Sequence, residues 1–355
     1  MMQTIDDVMQ GAIAERIFPG AVVWAGTATQ ALFTAAYGTT MYTDPGSQPV
    51  TPNTIYDIAS LTKMFTAMAA LRLLDAGELT LHAPVAHYLP RFRASAVTVQ
   101  HLITHTSGLD LRLSALRTRG AAGIWDAVYA TMPTHAPGTY VAYTNINSLL
   151  LGAVVAQLYE HPLDKALHDL IIEPLGMTAT TFRPAAALQP RIAPTEWDSE
   201  WRQCLVWGRV HDESAAALGG VAGHAGLFAP ANDLAHFIQC WLQEGSFGGK
   251  ALLRPATVAL ALRDYTEGLD SPTGSRQWRS GLGWMIDRPG FMGSAPPGRV
   301  GHTGFTGPVL LLVPQRRLGL IILSNRTYPK RTPPPYRHHA VTAAVVARML
   351  AWSDV

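Results

Sequence analysis

The stretch TIYDIASLTKMFTAMAALRLLDAG, Thr54 to Gly77, reads as a core helix with an ammonium group at its head. From Met64 to Leu74 it is almost entirely apolar, on all sides rather than along one stripe, which marks a helix surrounded by protein. A charge there costs free energy unless something compensates it. Ser60 precedes Lys63 by three residues, so the two share a face if the helix starts at or just before Ser60. A helix N-terminus carries partial positive charge, and burial disfavours the ammonium form. Both depress the lysine pKa. A neutral lysine is a base that can take the serine hydroxyl proton. The bland alternative has Lys63 reaching solvent and Ser60 serving as an N-cap. Two features weigh against it. The lysines of the chain are Lys63, Lys165, Lys250 and Lys330, so an accidental pair at this spacing is uncommon. The apolar surroundings of Lys63 also leave little route to water.

Outward from this helix the pattern changes on both sides. Residues 4–17 form an amphipathic helix, followed by GAVVWAGT (Gly20–Thr27) and ALFTAAYGTT (Ala31–Thr40), two strands in hairpin relation suited to a sheet covered on both faces. The middle of the chain is helical. TVQHLITHTSGL, GIWDAVYAT, NSLLLGAVVAQLYE, PLDKALHDLIIEPLG and ANDLAHFIQCWLQEG are apolar-periodic segments separated by Gly and Pro. PTEWDSEWRQCLVWGRVHDES has no clean period and reads as a long ordered loop. Strands return in SGLGWMI, GRVGHTG, GPVLLLVP and LGLIILSN, with PQRR turning the last pair. A helix from about Tyr336 to Trp352 closes the chain. Strands at both ends with helices between predict an α+β fold. Its antiparallel sheet is built from both termini, flanked by helices, with a mostly helical domain inserted. The expected division is 1–57 with 276–355 for the sheet, and 58–275 for the helical part, with a ligand crevice between them.

Composition narrows the function. The chain has 355 residues, 48% hydrophobic and 15% charged, enough to bury a large core. The net charge of +2, with no basic run, gives no reason to expect nucleic acid or acidic lipid as a partner. Cys204 and Cys240 lack a paired spacing and are expected to be buried free thiols. The N-terminal segment carries Asp6 and Asp7 where a secretory signal carries positive charge, and no apolar run reaches membrane length. The expectation from these features is a cytoplasmic protein without a membrane span.

Two further motifs join Ser60 and Lys63. PGTYVAYTNINSLLLG places Tyr143, Thr144 and Asn145 at the start of an apolar helix, and GRVGHTGFTGPVLLLVP places His302, Thr303 and Gly304 at the end of a strand. Alone, Asn145 could be an N-cap, Tyr143 a core aromatic, and the His-Thr-Gly run a bulge. In this order the three resemble the serine β-lactamase and penicillin-binding-protein superfamily, whose signatures are S-x-x-K, a second triad ending in Asn, and K-T-G. The Tyr-x-Asn form is similar to the branch of class C β-lactamases, DD-peptidases and their esterase relatives. VHDESAAALGGVAGHAGLF resembles penicillin-binding-protein 4B-like hydrolases.

The resemblance implies acyl transfer through a serine ester. Ser60 would be the nucleophile, Lys63 the base in acylation, and Tyr143 a proton relay as phenol or phenolate. Asn145 would hold Lys63 and bind substrate. The backbone N–H groups of Ser60 and Phe305 would form the oxyanion hole, and Gly304 would let substrate approach the strand edge. No cofactor or metal is implied, and the partner is a small ester, amide or β-lactam. One departure stands out. His302 replaces the lysine that helps β-lactamases attract a substrate carboxylate, and histidine is mostly neutral at pH 7. That shifts the expectation toward an esterase or D-amino-acid peptidase, with a true β-lactamase or a slowly deacylating penicillin-binding sensor as the alternatives.

Other polar residues carry weaker signals. His211, Asp212 and Glu213 are candidate metal ligands, but adjacent extended residues point to opposite faces, so a structural role is expected. His101 and His105 share a helix face without the H-E-x-x-H pattern and read as helix-end hydrogen-bonders. His338 and His339 sit in a polar stretch expected at the surface. By family analogy His224 lies near the site. Trp197, Trp201 and Trp207 either wall the acyl pocket or pack their loop onto the helical region.

Overall fold

The computed structural model of the chain describes residues 4–272, 278–294 and 297–352. The expected boundary at 275–276 lies outside the described residues. Helix α1 (Ile5–Ala14) begins where Thr4 and Asp7 cap each other reciprocally. Strands β1 (Gly20–Thr27) and β2 (Ala31–Gly38) follow as a hairpin. The helical part contains α2 (Thr62–Asp75), α3 (Asn145–Leu158) and α4 (Ala231–Leu242). Then come β3 (Arg279–Ser280), β4 (Met285–Ile286), β5 (Val300–Thr303), β6 (Val309–Val313), β7 (Leu318–Ser324) and α5 (Arg337–Leu350).

The sheet runs β3-β4-β5-β6-β7-β1-β2, with every neighbouring pair antiparallel. The two ends of the chain meet where β1 pairs with β7, from Ala21 opposite Ser324 to Thr27 opposite Leu318. The α+β architecture expected from the sequence is therefore present. Alternation along the central strands divides the core between two faces. Val23, Leu311, Leu320 and Ile322 pack with Met9 of α1 and Val345 of α5. Val22, Trp24, Leu310 and Ile321 face the other way, into one cluster that also holds α2 and α4. Every residue of α2 from Thr62 to Leu71 is buried. Its all-round apolar sequence is thus matched by an all-round protein environment.

Several local expectations change. β1 is covered on both faces, but β2 is the sheet edge and mostly half-exposed. SGLGWMI splits into β3 and β4 because Gly283 turns the chain at φ +82°, and a Cβ there would stand 2.4 Å from Ala67 Cβ on α2. The helix read at Thr98–Leu109 ends at Ile103, and His105 takes φ +60°. The supposed long loop contains a hairpin, Glu196–Asp198 with Cys204–Val206, and a short helix, Glu213–Ala217, capped by Asp212. Strands of three residues are too short to show alternation. Both cysteines are free, Cys240 buried and Cys204 only half-buried. No helix among the described residues is long and apolar enough to cross a membrane.

Candidate active site

Ser60 lies on a single 3₁₀ turn, Ala59–Leu61, that leads into α2. The turn is built under constraint. Ala59 adopts φ +46°, a conformation that is costly for a residue with a Cβ. The Asp57 carboxylate accepts from Ala59 N at 2.9 Å and from His211 N at 2.6 Å, and the Asp57 carbonyl accepts from Thr306 Oγ1 at 2.7 Å. The end of β5 presses on the same turn. A Cβ at Gly304 would lie 2.6 Å from Ile58 O and 3.3 Å from Ala59 Cβ. The close approach that calls for glycine at 304 is thus to the turn carrying Ser60.

One turn on, Lys63 is 3% exposed. Its Nζ lies 2.8 Å from Ser60 Oγ, donates to Asn145 Oδ1 at 3.0 Å, and donates to the His224 carbonyl at 3.2 Å. A neutral amine has two N–H groups and one lone pair. Two fixed carbonyl-type acceptors take the N–H groups, which turns the lone pair toward the serine hydroxyl. Burial lowers the Lys63 pKa to about 7, partly offset by the negative charge of Asp212. The amine is therefore a base poised near neutrality.

Tyr143 stands over this pair. Lys63 Nζ is 4.8 Å from its ring centroid, and its hydroxyl bonds to Ser60. Burial raises its pKa well above the usual phenol value, and only its bond to Ser60 works the other way. Burial thus favours the phenol form of Tyr143 at physiological pH. Two imidazoles flank the ring, His105 at 4.8 Å and His302 at 5.6 Å between centroids. His105 was read as a helix-end residue and instead braces the second motif. Its carbonyl accepts from Ala142 N at 3.0 Å, and its Nδ1 lies 3.2 Å from Asn147 Nδ2. His101 does cap a helix end, with Nδ1 accepting from Thr98 N.

Asn145 is the first residue of α3, and Thr144 occupies the cap position. Its Nδ2 reaches Asp212 Oδ2 at 3.4 Å, so Asp212 sits behind the lysine's partner. Asp212 also accepts from Ala215 N at 2.8 Å and Ser214 Oγ at 2.5 Å, and lies 3.2 Å from His224 Nε2. Burial opposes ionisation of Asp212. The adjacent His224 and these hydrogen bonds outweigh it and hold the carboxyl far below the usual range. His211, Asp212 and Glu213 diverge. His211 bonds Glu196 at 2.7 Å, Asp212 faces His224, and Glu213 pairs with Arg331 at 2.9 Å.

His302 is 2% exposed, with Nδ1 2.9 Å from the Thr303 carbonyl. A carbonyl can only accept, so Nδ1 carries the proton. Burial, then Lys63, push the His302 pKa down to about 3, so it offers no positive charge to substrate.

Ser60, Tyr143, Asn145, Thr303, Gly304 and Phe305 all line one cleft of about 480 Å³. His302 lies behind Tyr143 and lines a small adjoining recess. His338 and His339, expected at the surface, instead form part of the cleft wall, because the start of α5 packs against Phe305 through Tyr336. None of Trp197, Trp201 and Trp207 lines the cleft. Trp197 is 56% exposed, and Trp207 packs beside Ile55 and Ile192. Trp278 supplies the aromatic wall instead.

A family model described as Beta-lactamase matches residues 5–344. A putative D-alanyl-D-alanine carboxypeptidase of Escherichia coli K12 is 30% identical over 319 residues, covering 79% of this chain and 71% of that protein. Among solved structures, EstCE1, a hydrolase with promiscuous acyltransferase activity, superposes with a TM-score of 0.76 at 21% identity, covering 96% of this chain and 97% of that one. A class C beta-lactamase mutant superposes with a TM-score of 0.74 at 21% identity, covering 97% and 96%. At this identity the superpositions establish likeness of fold.

Proposed function

The chain belongs to the beta-lactamase family and is a serine hydrolase, and from that premise we propose that Ser60 is its nucleophile and that small esters or peptides ending in a D-amino acid are its substrates. The observation that carries this reading is the buried Lys63 amine 2.8 Å from Ser60 Oγ, with a pKa lowered to about 7.

The geometry supports the following steps. Lys63 takes the Ser60 proton as Oγ bonds to the substrate carbonyl carbon. The carbonyl oxygen, now negative, is received by the backbone N–H groups of Ser60 and Phe305. When the tetrahedral centre collapses, the bond to the leaving group breaks and that group needs a proton. Tyr143 donates its hydroxyl proton and is reprotonated from the Lys63 ammonium, which restores the neutral amine. Water then attacks the serine ester, the same groups move its proton, and the acid product leaves. Asn145 keeps the lysine oriented throughout, while Thr303 and Gly304 border the path of the substrate. The neutral His302 favours neutral esters over substrates that require a cation at that position, while the naming of the Escherichia coli relative supports peptides ending in a D-amino acid.

The experiment is acyl trapping. The wild type, treated with an activated ester, should gain one acyl group by mass spectrometry, on the Ser60 peptide, and then lose it. Ser60→Ala should gain none. Full labelling of that variant would place the nucleophile elsewhere. Across p-nitrophenyl esters, D-alanyl peptides and nitrocefin, kcat/KM should be lowest for nitrocefin, and the reverse order would favour a β-lactamase.

A further inference from the structure

The segment VHDESAAALGGVAGHAGLF carries an imidazole that the steps above do not use. His224 is 0% exposed and stands twelve positions after Asp212. It reaches the base twice, once through its main chain and once through its ring. Its carbonyl accepts from Lys63 Nζ at 3.2 Å. Its Nε2 lies 3.2 Å from Asp212 Oδ1, Asp212 Oδ2 accepts from Asn145 Nδ2 at 3.4 Å, and Asn145 Oδ1 accepts from Lys63 Nζ at 3.0 Å. The contacts form a closed circuit, from Lys63 to Asn145 to Asp212 to His224 and back to Lys63.

The chemistry of each group fixes the direction of these bonds. Ser214 Oγ donates its single proton to Asp212 Oδ1 at 2.5 Å and lies 3.0 Å from His224 Nε2. A carboxylate can only accept, and the Ser214 proton is already used. Nε2 therefore carries a proton and points it at both oxygens. Nδ1 has no partner, so among the described residues the ring is attached through Nε2 alone. The main chain beside it is seated just as firmly. The Gly223 carbonyl accepts from Thr66 Oγ1 of α2 at 2.8 Å, and a Cβ at Gly223 would collide with Ser148 O of α3. The carbonyl that holds Lys63 is thus wedged between the two helices that carry Lys63 and Asn145.

We propose that His224 is a positioning residue for the base, holding Lys63 directly by its carbonyl and indirectly by directing Asp212 onto Asn145. The proposal rests on the reading of Lys63 as the base of a serine hydrolase. The titratable groups facing Lys63 are Ser60, Tyr143, Asp212, His105, His302 and His224. Asp212 is the carboxylate among them, so its orientation sets how strongly the ammonium form is favoured. The Nε2–H of His224 draws that negative charge toward the imidazole and away from the amine. The ring thereby keeps Lys63 both in place and easy to deprotonate.

The test compares two substitutions. His224→Leu keeps the carbonyl and most of the side-chain volume but removes the donor. For a neutral p-nitrophenyl ester, kcat should fall about tenfold or more, the scale of one hydrogen bond to a charged group, with little change in KM. The acidic limb should move up by about half a pH unit or more, because Asp212 is left less shielded. His224→Gln returns a donor to the Nε2 position and should restore kcat to within about threefold of the wild type, with the limb back in place. A limb that stays or moves down in His224→Leu, or no recovery in His224→Gln, would reduce His224 to packing and overturn the role. The amine can also be titrated without turnover, by carbon NMR of the Lys63 ε-carbon in Ser60→Ala protein with and without His224→Leu. An upward shift there, with no ester turnover by the wild type, would sink the hydrolase reading and leave the coupling standing. Turnover without the shift would sink the coupling alone. Should His224→Leu fail to fold, nitrogen NMR of the wild-type imidazoles decides. A proton on Nε2 of His224 supports the arrangement, and a proton on Nδ1 alone overturns it.

Discussion

Lys63 and Asn145 lie 82 positions apart in the chain and meet at 3.0 Å, Nζ donating to Oδ1. That contact joins the first motif to the second. With the His224 carbonyl it fixes the amine so that its remaining hydrogen-bonding direction faces Ser60. Lys63 is therefore tuned by its position rather than by its sequence neighbours alone.

The pH profile follows from this arrangement. Lys63 acts as a base, so activity needs its neutral form. With the pKa lowered to about 7, kcat/KM for a neutral ester should rise about tenfold per pH unit below 7 and level off above it. Burial moves the Tyr143 pKa upward, so no second limb should be seen between pH 8 and 10. Tyr143→Phe should lower the plateau by about 10²–10⁴, the range for lost acid–base help, without moving the acidic limb above pH 8. Stopped-flow ester hydrolysis from pH 5 to 10 measures all three. A plateau that begins only near pH 10 would mean that the amine is solvated.

Asp212 offers a separate handle on the same limb. Its negative charge raises the Lys63 pKa against the effect of burial. Asp212→Asn keeps an oxygen for Ala215 N while removing the charge. The acidic limb should then shift to lower pH, with a lower plateau from weaker support of Asn145 and His224. A limb that stays in place or moves upward would show that Asp212 does not couple to the lysine.

Gly304→Ala tests the contact between strand and turn. The added methyl would stand 2.6 Å from Ile58 O, so β5 or the Ser60 turn must shift. Overpacking of this kind costs about 1–3 kcal/mol. A displacement near 1 Å between nucleophile and oxyanion donors costs about 10²-fold in rate. We expect a lowered Tm together with a loss in kcat/KM of that order, and little change in the Lys63 limb. Unchanged kcat/KM would show that the turn accommodates the methyl group.

The sequence alone determined the local parts. Runs of small and β-branched residues marked the central strands β1, β6 and β7, and continuous apolarity marked α2 as buried, because both are properties of neighbouring residues. Ser60 and Lys63 could be paired from spacing, since three positions on a helix share a face. The hairpin at Glu196–Val206 escaped because its strands are too short to show a period. Only the tertiary structure brought Asp212 and the His224 carbonyl to the lysine, set His105 against Tyr143, and turned His338 and Arg326 into the cleft wall. These contacts join residues from separate elements. Their burial, and hence their charge state, depends on how the sheet and helices close over them, a property that no stretch of the chain contains by itself.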